Sequence, residues 1–600
     1  MRRLAALCLT TVVAAFPAAL AFAAQSPATS TPLDAALALV PKDAVAFVVV
    51  PNPKQASDDA QQCIERMNVQ GGALVGRPID QLKALFGVSA SFDDKGPIAL
   101  AIMGTAASAA DRSPPRYILS VPTTDATAFI EGNLAKAPEV APDAYRFASG
   151  DVVYAKAGVH HVHLSSDSAT LGAYAPGEGI GATVRGSLGA RGSALLSKGD
   201  IVAWSGRAAI QSAVRTAAEQ AAGQMPSDAP FAAQATEWRT AATKLLEGVD
   251  SGLLVFELDA LGLGIRSFAT FAPESELARL TVGGKDREAR FDRVPKQPFY
   301  FVARADVDGL GGIGALEALL AKLPGTPALP AWLAAAKDSV RAMQLGIFPS
   351  KLGLAAGGLL NDSSLFLESE RPDAVRDQLK SAILSLKGEQ GGLRREPTWE
   401  ADRSLKSGDV ADAFEVTETV VSTKDANPVD LSMLRMLTQA IYGSRGLVGF
   451  VKRQQDGVVM TFSQRADVLE RTTKTAGGAA SLASDATIAA YREWLIDRPD
   501  LGRADVEIYV GLGQFGKLIK QVMTLVPGGA QAPVIDIPTS IEPLAFAIEV
   551  DKGTVETAAV VPSGALSFAV SGMMTQMMSR PAQPASQQPR QQQQPAGGGR

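Results

Sequence analysis

Apolar, β-branched segments that lead through a short polar stretch into an amphipathic segment recur along the chain. The apolar runs are typical of strands, and the amphipathic runs are typical of helices. Ser, Thr and Asp in the polar stretches can accept hydrogen bonds from the free amides of a helix start. The pattern therefore predicts repeated strand-cap-helix units. Their strand and helix positions are 117–121 and 126–134, 161–164 and 169–174, 201–204 and 208–222, 364–367 and 373–384, and 458–462 and 467–475.

Some predicted strands have a partner strand across a tight turn. Asp-Gly pairs and short loops that contain glycine supply the positive φ values that hairpin turns need. The two clearest hairpins are 449–452 with 458–462, around Asp456-Gly457, and 544–550 with 555–561, around 551–553. The sheets are therefore predicted to be mixed or mainly antiparallel.

At a coarser scale, the two halves of the chain follow similar patterns. Each half opens with a strand, at 45–50 and 299–303, and closes with two strands, at 253–258 with 265–271 and at 544–550 with 555–561. Pro295 and Pro298 interrupt any regular element at the junction, near 293–298. We therefore predict an α+β fold of two tandem pseudo-repeated domains with mainly antiparallel sheets and amphipathic helices, at 25–294 and 295–579.

The two ends of the chain have compositions of their own. Arg2 and Arg3 precede a short apolar run and small residues near Ala23, which is the pattern of a secretory signal peptide at 1–24. The residues before Cys8 lack the small side chain expected ahead of a lipid-modified cysteine. Residues 580–600 are rich in Pro, Gln and Gly, which predicts a disordered tail. The mature protein is expected to be periplasmic or extracellular.

Charge and cysteine usage exclude several classes of protein. Lys and Arg number 57 against 62 Asp and Glu; without Arg2 and Arg3 the balance is 55 minus 62, or −7. That mild acidity argues against a nucleic-acid or anionic-lipid partner. With Cys8 removed, Cys63 has no partner for a disulfide and is expected to pack on a helix. No apolar run after the signal is long enough to span a membrane, so no transmembrane anchor is expected.

The start of the mature region, Leu39-Val40-Pro41-Lys42-Asp43-Ala44-Val45-Ala46-Phe47-Val48-Val49-Val50-Pro51, resembles the opening of a group of exported, uncharacterised bacterial proteins. Members of that group share repeated strand-cap-helix segments along most of their length. The resemblance implies an exported protein with a domain of unknown function. It implies no activity and no functional residue.

Two glycine-rich segments match the pattern of a dinucleotide-binding loop. They lie at 309–314 and 511–516, and Asp536 follows the second where a ribose-binding acid would stand. The surrounding hairpins do not resemble the βαβ unit that this motif needs, so we interpret both segments as glycine-assisted turns from strand to helix. Residues 511–517 also imitate a phosphate loop, but Leu518 replaces the hydroxyl that would bind Mg²⁺. No cofactor is predicted.

All three histidines fall together, at positions 160, 161 and 163. On a strand, His161 and His163 share a face and His160 points away, so two imidazoles are candidates for a metal site that a distant carboxylate would complete. The alternative is an exposed strand with incidental imidazoles. Asp306 and Asp308 form a comparable pair, either a carboxylate couple or turn and cap residues.

Three function hypotheses remain open at this point. The absence of a Gly-x-Ser-x-Gly elbow and of a His-Glu-x-x-His helix favours a non-catalytic exported envelope protein that serves as a binding or structural module. A periplasmic carrier would instead hold an apolar ligand in a sheet-lined cavity. A hydrolase could assemble dispersed carboxylates into a pocket. We favour the first hypothesis, with an envelope protein or a small apolar ligand as the partner.

Overall fold

The computed structural model describes residues 31–569 with internal gaps. The gaps are 67–76, 105–115, 148–149, 178, 225–239, 241–242, 244–245, 259–260, 282–290, 309, 311–338, 391–392, 407, 422–435, 437, 476–479, 497–503 and 526–536. The predicted signal peptide and tail, Asp536 and almost all of the first glycine-rich segment therefore lie outside the described residues.

Helices are interspersed with runs of strands along the described chain. The helices are α1 Pro32–Ala38, α2 Pro53–Arg66, α3 Pro78–Phe86, α4 Ala126–Asn133, α5 Ser168–Ala173, α6 Gly181–Leu196, α7 Arg207–Gln224, α8 Glu276–Leu280, α9 Gly353–Gly357, α10 Pro372–Leu384, α11 Ala466–Lys474, α12 Ala486–Ile496 and α13 Leu512–Leu525. The strands of the first half are β1 Ala44–Val50, β2 Ile98–Met103, β3 Arg116–Pro122, β4 Ala135–Lys136, β5 Ala144–Arg146, β6 Val152–Ala157, β7 His161–Ser165, β8 Ile201–Gly206, β9 Val249–Leu258 and β10 Gly262–Phe271. Those of the second half are β11 Phe301–Asp306, β12 Ala342–Ile347, β13 Ser364–Glu368, β14 Gly388–Gln390, β15 Leu393–Ser404, β16 Val410–Val420, β17 Leu447–Gln454, β18 Gly457–Thr461, β19 Val506–Val510, β20 Leu544–Asp551 and β21 Thr554–Pro562.

All of these strands belong to one antiparallel sheet of 21 strands. In the first half, the spatial order is β4-β5-β6-β7-β3-β2-β1-β8-β9-β10. In the second half, it is β14-β15-β16-β17-β18-β13-β12-β11-β19-β20-β21. The two halves join where β10 pairs with β21. The prediction of an α+β protein with mainly antiparallel strands is confirmed.

The two halves use the same central strand order. From β7 to β10 the first half runs β7-β3-β2-β1-β8-β9-β10, and the second half runs β18-β13-β12-β11-β19-β20-β21. Helices follow the matching strands in both halves, as α4 follows β3 and α10 follows β13. β10 and β21 are the last strands of their halves, and they pair with each other. The two halves are therefore joined through their final strands.

Local chemistry explains why these segments form strand-cap-helix units. Asp125 caps α4 by accepting a hydrogen bond from the Ala128 amide at 3.0 Å, and Asp167 caps α5 in the same way. In the β20–β21 hairpin, Lys552 and Gly553 both have positive φ, at 32° and 85°, as a tight two-residue turn between paired strands requires. Both predicted hairpins and all five predicted strand-helix units are present. The turn of the first hairpin is 455–456, however, and Gly457 pairs with Gln454 as the first residue of β18.

Buried aromatic side chains fill the space between the sheet and its helices in both halves. In the first half, Phe47 stacks on Trp204 with ring centroids 5.7 Å apart. In the second, Phe291 meets Tyr509 edge to face at 5.5 Å, beside Val294. Phe291 and Val294 come just before the predicted domain boundary, so this stretch of chain packs into the core of the second half. In the part of the chain that the structure describes, no helix is long and apolar enough to cross a bilayer.

Candidate functional site

The two candidate metal ligands, His161 and His163, lie on one face of β7, and their ring centroids are 6.2 Å apart. The His163 side chain is buried, with 3% of the residue exposed, and its Nδ1 lies 2.9 Å from the Ser120 hydroxyl. Its ring also meets Tyr174 edge to face at 4.7 Å. The His161 Nε2 lies 3.2 Å from the Pro97 carbonyl oxygen. Each of the two imidazoles therefore already contacts other residues of the chain.

Burial disfavours a charge on these rings. It lowers the pKa of His163 to about 4, with smaller contributions from His161 and Lys156, and it also lowers the pKa of His161. Two points of the sequence interpretation need correction: His163 is not on an exposed strand face, and His160 lies in the turn before β7. Among the described residues, no group of three His, Cys, Asp or Glu side chains could hold a metal ion.

The second glycine-rich segment follows β19 and opens α13, as the sequence predicts. A Cβ on Gly511 would lie 2.1 Å from the Phe299 carbonyl oxygen, and a Cβ on Gly513 would lie 2.5 Å from the Thr539 Cα. A Cβ on Gly516 would lie 2.8 Å from the Cβ of Ile537. The strands on both sides of β19 are antiparallel to it, unlike those of a dinucleotide-binding unit. These glycines therefore let the chain approach itself, and its own backbone occupies the space beside them.

The remaining candidate residues from the sequence are Cys63, Asp306 and Asp308. Cys63 is buried on α2, near Ile79, and packs as expected. Asp306 is the last residue of β11 and is 1% exposed, and its carbonyl oxygen accepts a hydrogen bond from the Leu310 amide at 3.2 Å across the turn that follows. Asp308 does lie in the following turn, where its amide donates to the Arg341 carbonyl oxygen at 3.2 Å.

A charged cleft of about 420 Å³ opens between the start of α10 and the adjoining ends of β15, β16 and β17. We call it the polar cleft. Its lining residues are Pro372, Asp373, Arg376, Asp402, Val410, Ala411, Asp412, Val451, Lys452, Arg453, Gln454 and Gln455. They come from four separate elements, so the cleft exists only in the folded chain.

The buried carboxylate of Asp412 forms the floor of the polar cleft. Arg376 binds it through two parallel hydrogen bonds, from Nε to Oδ2 at 2.5 Å and from Nη2 to Oδ1 at 2.8 Å. The backbone amide of Asp402 donates to Oδ1 as well, at 2.9 Å. Burial acts to raise the pKa of Asp412, but the hydrogen bonds from Arg376 and Asp402 outweigh it, and the pKa is lowered. Asp412 therefore stays ionised, with both oxygens engaged.

A β-bulge brings the Asp402 amide to this carboxylate. The register of the β15–β16 pair shifts between Glu400 and Arg403, and Asp402 has a φ of 53°. A bulge redirects the backbone of one strand, which here turns an amide toward the cleft floor. The Asp402 side chain is 71% exposed and its Oδ1 lies 3.8 Å from Arg376 Nη2.

Further ion pairs surround the mouth of the cleft. Lys452 Nζ lies 2.8 Å from Asp409 Oδ1, and Arg453 pairs with Asp373 at the start of α10. Each charged side chain that lines the polar cleft therefore has a partner of opposite charge within the fold. The arrangement fixes donors and acceptors in place without a bound group.

Nothing in the local sequence pattern singles out this cleft. Its charged residues are spread from position 373 to position 453, and each one is ordinary in its own element. The available signal is Asp412, a charged residue between Ala411 and Ala413 that alternates with the apolar Val410, Phe414 and Val416. A charge at such a position indicates a buried partner, but not which one.

A second cleft, of about 360 Å³, lies along α7 in the first half. Its lining residues are Arg207, Gln211, Val214, Arg215, Thr243 and Glu247. The Arg207 guanidinium is 4.0 Å from the carboxylates of Asp250 and Glu274, which are both largely exposed. Because these side chains stand in solvent, the cleft is less firmly organised than the polar cleft.

Two glutamates with raised pKa values lie outside both clefts. Burial raises the pKa of Glu549 to about 7, although Arg191 Nη2 lies 2.5 Å from its Oε2 and 3.0 Å from Oε2 of Glu556. Burial also raises the pKa of Glu507, which is fully buried and paired with Arg492 at 3.0 Å. Both carboxylates are parts of internal ion pairs.

Comparisons with known proteins add little. No protein-family model and no curated protein matches the chain. Two crystal forms of a protein named TP0453 are similar to it at 10% identity. One has a TM-score of 0.22 and covers 48% of this chain and 100% of that chain; the other has a TM-score of 0.21 and covers 48% and 99%. At these TM-scores the similarity carries no argument.

Proposed function

We propose that the chain is a non-catalytic, exported binding module whose polar cleft takes a small polar ligand. The arrangement of Asp412, Arg376 and the Asp402 amide carries this proposal. Because these groups satisfy one another, the floor keeps its shape without a ligand, so little order has to be imposed when a ligand binds above it. Exposed Asp373 and Arg453 at the mouth can exchange their mutual ion pair for contacts with the ligand.

The same geometry disfavours a hydrolase. A carboxylic acid that donates a proton needs a raised pKa and access to substrate. In the polar cleft, Asp412 has a lowered pKa and engaged oxygens. Three carboxylates have raised pKa values: Glu507 and Glu549, which arginines hold, and Asp59 on α2, whose pKa is raised by burial. None of the three lines either cleft. The pKa values and the clefts of the described residues are therefore arranged for binding.

An apolar carrier is also disfavoured. Carrier sites are lined mainly by apolar and aromatic side chains. Both clefts described above are lined mainly by charged and polar side chains, and the large aromatic residues are packed in the cores. The ligand that fits the polar cleft carries several hydrogen-bonding groups and charges of both signs, to match the alternating charges of its walls.

We infer that the module consists of two pseudo-repeated units, each of which contributes one half of the sheet. The shared central strand order of the two halves supports this division, and the β10–β21 pairing supports a joint that is more than a linker. The resemblance of residues 39–51 to exported bacterial proteins supports a location outside the cytoplasm. The polar cleft belongs to the second unit.

Native mass spectrometry of the mature protein, recovered from its own envelope, tests the proposal. We expect a retained small molecule in the wild type and its loss in the Asp373→Ala/Arg453→Ala variant. The matched control is Glu389→Ala/Arg394→Ala, which removes an ion pair of similar exposure away from the cleft. A ligand retained equally by both variants would place the site elsewhere, and a ligand mass that changes during incubation would indicate an enzyme.

A further inference from the structure

The cleft of about 360 Å³ along α7, which we call the α7 cleft, differs from the polar cleft in how its charges are paired. Its charged lining residues are Arg207, Arg215 and Glu247. In the polar cleft every lining charge has a partner of opposite charge within the fold. Two of the three lining charges of the α7 cleft have none among the described residues, and this difference bears on what the cleft can bind.

Two segments of the first half form the walls of the α7 cleft. The four lining residues of α7 lie at the i, i+4, i+7 and i+8 positions from Arg207, a spacing that places side chains on one face of a helix. The opposite wall is the turn from Thr243 to Glu247, in which the Glu247 amide donates to the Thr243 carbonyl oxygen at 3.0 Å. The Gln211 Nε2 donates to the Glu247 carbonyl oxygen at 3.4 Å and so joins the two walls.

Arg215 and Glu247 flank Gln211 with opposite charges and do not pair. The Arg215 Nε donates to the Gln211 carbonyl oxygen at 3.2 Å, which holds the guanidinium beside the glutamine that contacts Glu247 and leaves Nη1 and Nη2 as donors. Both side chains are exposed. Among the described residues, neither has an ion pair, whether with the other or with a third group. A cation and an anion on the same cleft are therefore both available to a ligand.

The wider charge around the α7 cleft matches neither a simple anion nor a simple cation. Besides Arg215 and Glu247, the charged groups are Arg207 and, each 4.0 Å from its guanidinium, the carboxylates of Asp250 and Glu274. Two positive and three negative groups give a balance of 2 minus 3, or −1. Charges of both signs on a ligand complement this arrangement better than a single charge does.

We propose that the α7 cleft binds a small zwitterion of the α-amino-acid class. The ligand carboxylate accepts hydrogen bonds from Nη1 and Nη2 of Arg215, and the ligand ammonium group donates to the Glu247 carboxylate. Such charge-assisted hydrogen bonds are about twice as strong as neutral ones. Val214 supplies an apolar contact for a small side chain. The site lies in the first half of the chain and does not require the polar cleft.

Calorimetric titration of the protein without residues 1–24, at low ionic strength, tests this site with L-alanine as the probe. We expect L-alanine to bind at least about tenfold more tightly than propanoate or ethylammonium, because each of these lacks one of the two charged groups. Arg215→Gln and Glu247→Gln should each weaken L-alanine binding by at least about fivefold, and Arg215→Lys, which keeps the charge, should weaken it less.

The matched control is Glu389→Gln/Arg394→Gln, which changes exposed charges in the second half and should leave L-alanine binding unchanged. The urea unfolding midpoints of Arg215→Gln and Glu247→Gln should equal that of the wild type, since neither side chain has an ion pair to lose. The comparison of L-alanine with propanoate and ethylammonium uses the wild type alone, so it stands whatever the variants do.

Three results would overturn the proposal. The first is no binding of L-alanine to the wild type, and the second is equal binding of L-alanine and propanoate. The third is L-alanine binding that Arg215→Gln leaves intact and Asp373→Ala/Arg453→Ala abolishes, because the amino acid would then occupy the polar cleft. Since each cleft has its own variants, the proposal for the α7 cleft and the proposed function of the polar cleft can fail separately.

Discussion

Glu549 links the protein's stability to pH through a contact between its halves. It stands directly across from Glu556 in the β20–β21 pair, and Arg191 from α6 of the first half lies against both carboxylates. Burial and the charges of Glu556 and Asp505 raise the pKa of Glu549 to about 7, against the opposing effect of Arg191. The substitution that isolates this effect is Glu549→Gln, which keeps the shape and removes the titration.

The sign and size of the effect follow from the two pKa values. The folded-state pKa is above the ordinary value of 4.5, so the stabilising contribution is complete below pH 4.5 and is lost as pH rises through 7. The slope is about 1.4 kcal/mol per pH unit, and the total is about 3 kcal/mol. Relative to the wild type, Glu549→Gln should therefore gain stability as pH increases across this window.

His163 acts in the opposite direction over an overlapping window. Its folded-state pKa of about 4 is below the ordinary 6.5, so its stabilising contribution is complete above pH 6.5 and is lost as pH falls toward 4. Between pH 4.5 and 6.5 the contributions of His163 and Glu549 should nearly cancel. Relative to the wild type, the stability of His163→Gln should therefore fall as pH rises from 4.5 to 6.5, whereas that of Glu549→Gln should rise.

Urea unfolding of the mature protein, followed by circular dichroism at several pH values from about 4.5 to 7, measures these slopes. The difference between each variant and the wild type matters, because all other titrating groups are common to both. If the difference between Glu549→Gln and the wild type does not change with pH, the geometry at Arg191 is not as described and the reasoning fails.

Two further stability predictions concern packing and charge. Arg376→Ala should lower the free energy of unfolding by about 3 kcal/mol, because it leaves the buried carboxylate of Asp412 without its arginine. Arg394→Ala removes an exposed ion pair and should cost less than about 1 kcal/mol. Equal losses in the two variants would contradict the burial of Asp412. Gly264→Ala should cost about 2 kcal/mol, since its Cβ would lie 2.1 Å from the Trp494 ring, whereas Gly172→Ala meets open space and should cost little. Thermal unfolding distinguishes these outcomes, and a stable Gly264→Ala would show that the two halves are not in contact there.

Sequence patterns predict the elements of this fold well and their arrangement poorly. Asp125 and Asp167 start helices, and Gly553 closes a hairpin, through contacts with residues a few positions away. The pairing of β10 with β21 joins positions almost 300 residues apart, and no local pattern encodes it. Fold class and antiparallel pairing could therefore be predicted, but the strand order could not.

The same distinction applies to the sites. The burial of His163 depends on Ser120, 43 residues earlier, and on Tyr174 at the end of the next helix, so its strand could be predicted and its surroundings could not. Asp412 and Arg376 meet because α10 packs against β15 and β17, the strands on either side of β16. The glycines at 511–516 fit a nucleotide motif as a string, and only the packing of the chain around them explains their presence.

Hydrogen exchange measured by mass spectrometry tests the central claim, that the polar cleft is a binding site, most directly. The protein without the predicted signal peptide, residues 1–24, would be compared with and without the small-molecule fraction of the cells that produce it. We predict slower exchange of backbone amides at 372–376, 402–412 and 451–455, with the rest of the chain unchanged and the ligand recovered intact. Protection confined to other segments, or chemical conversion of the added molecules, would contradict it.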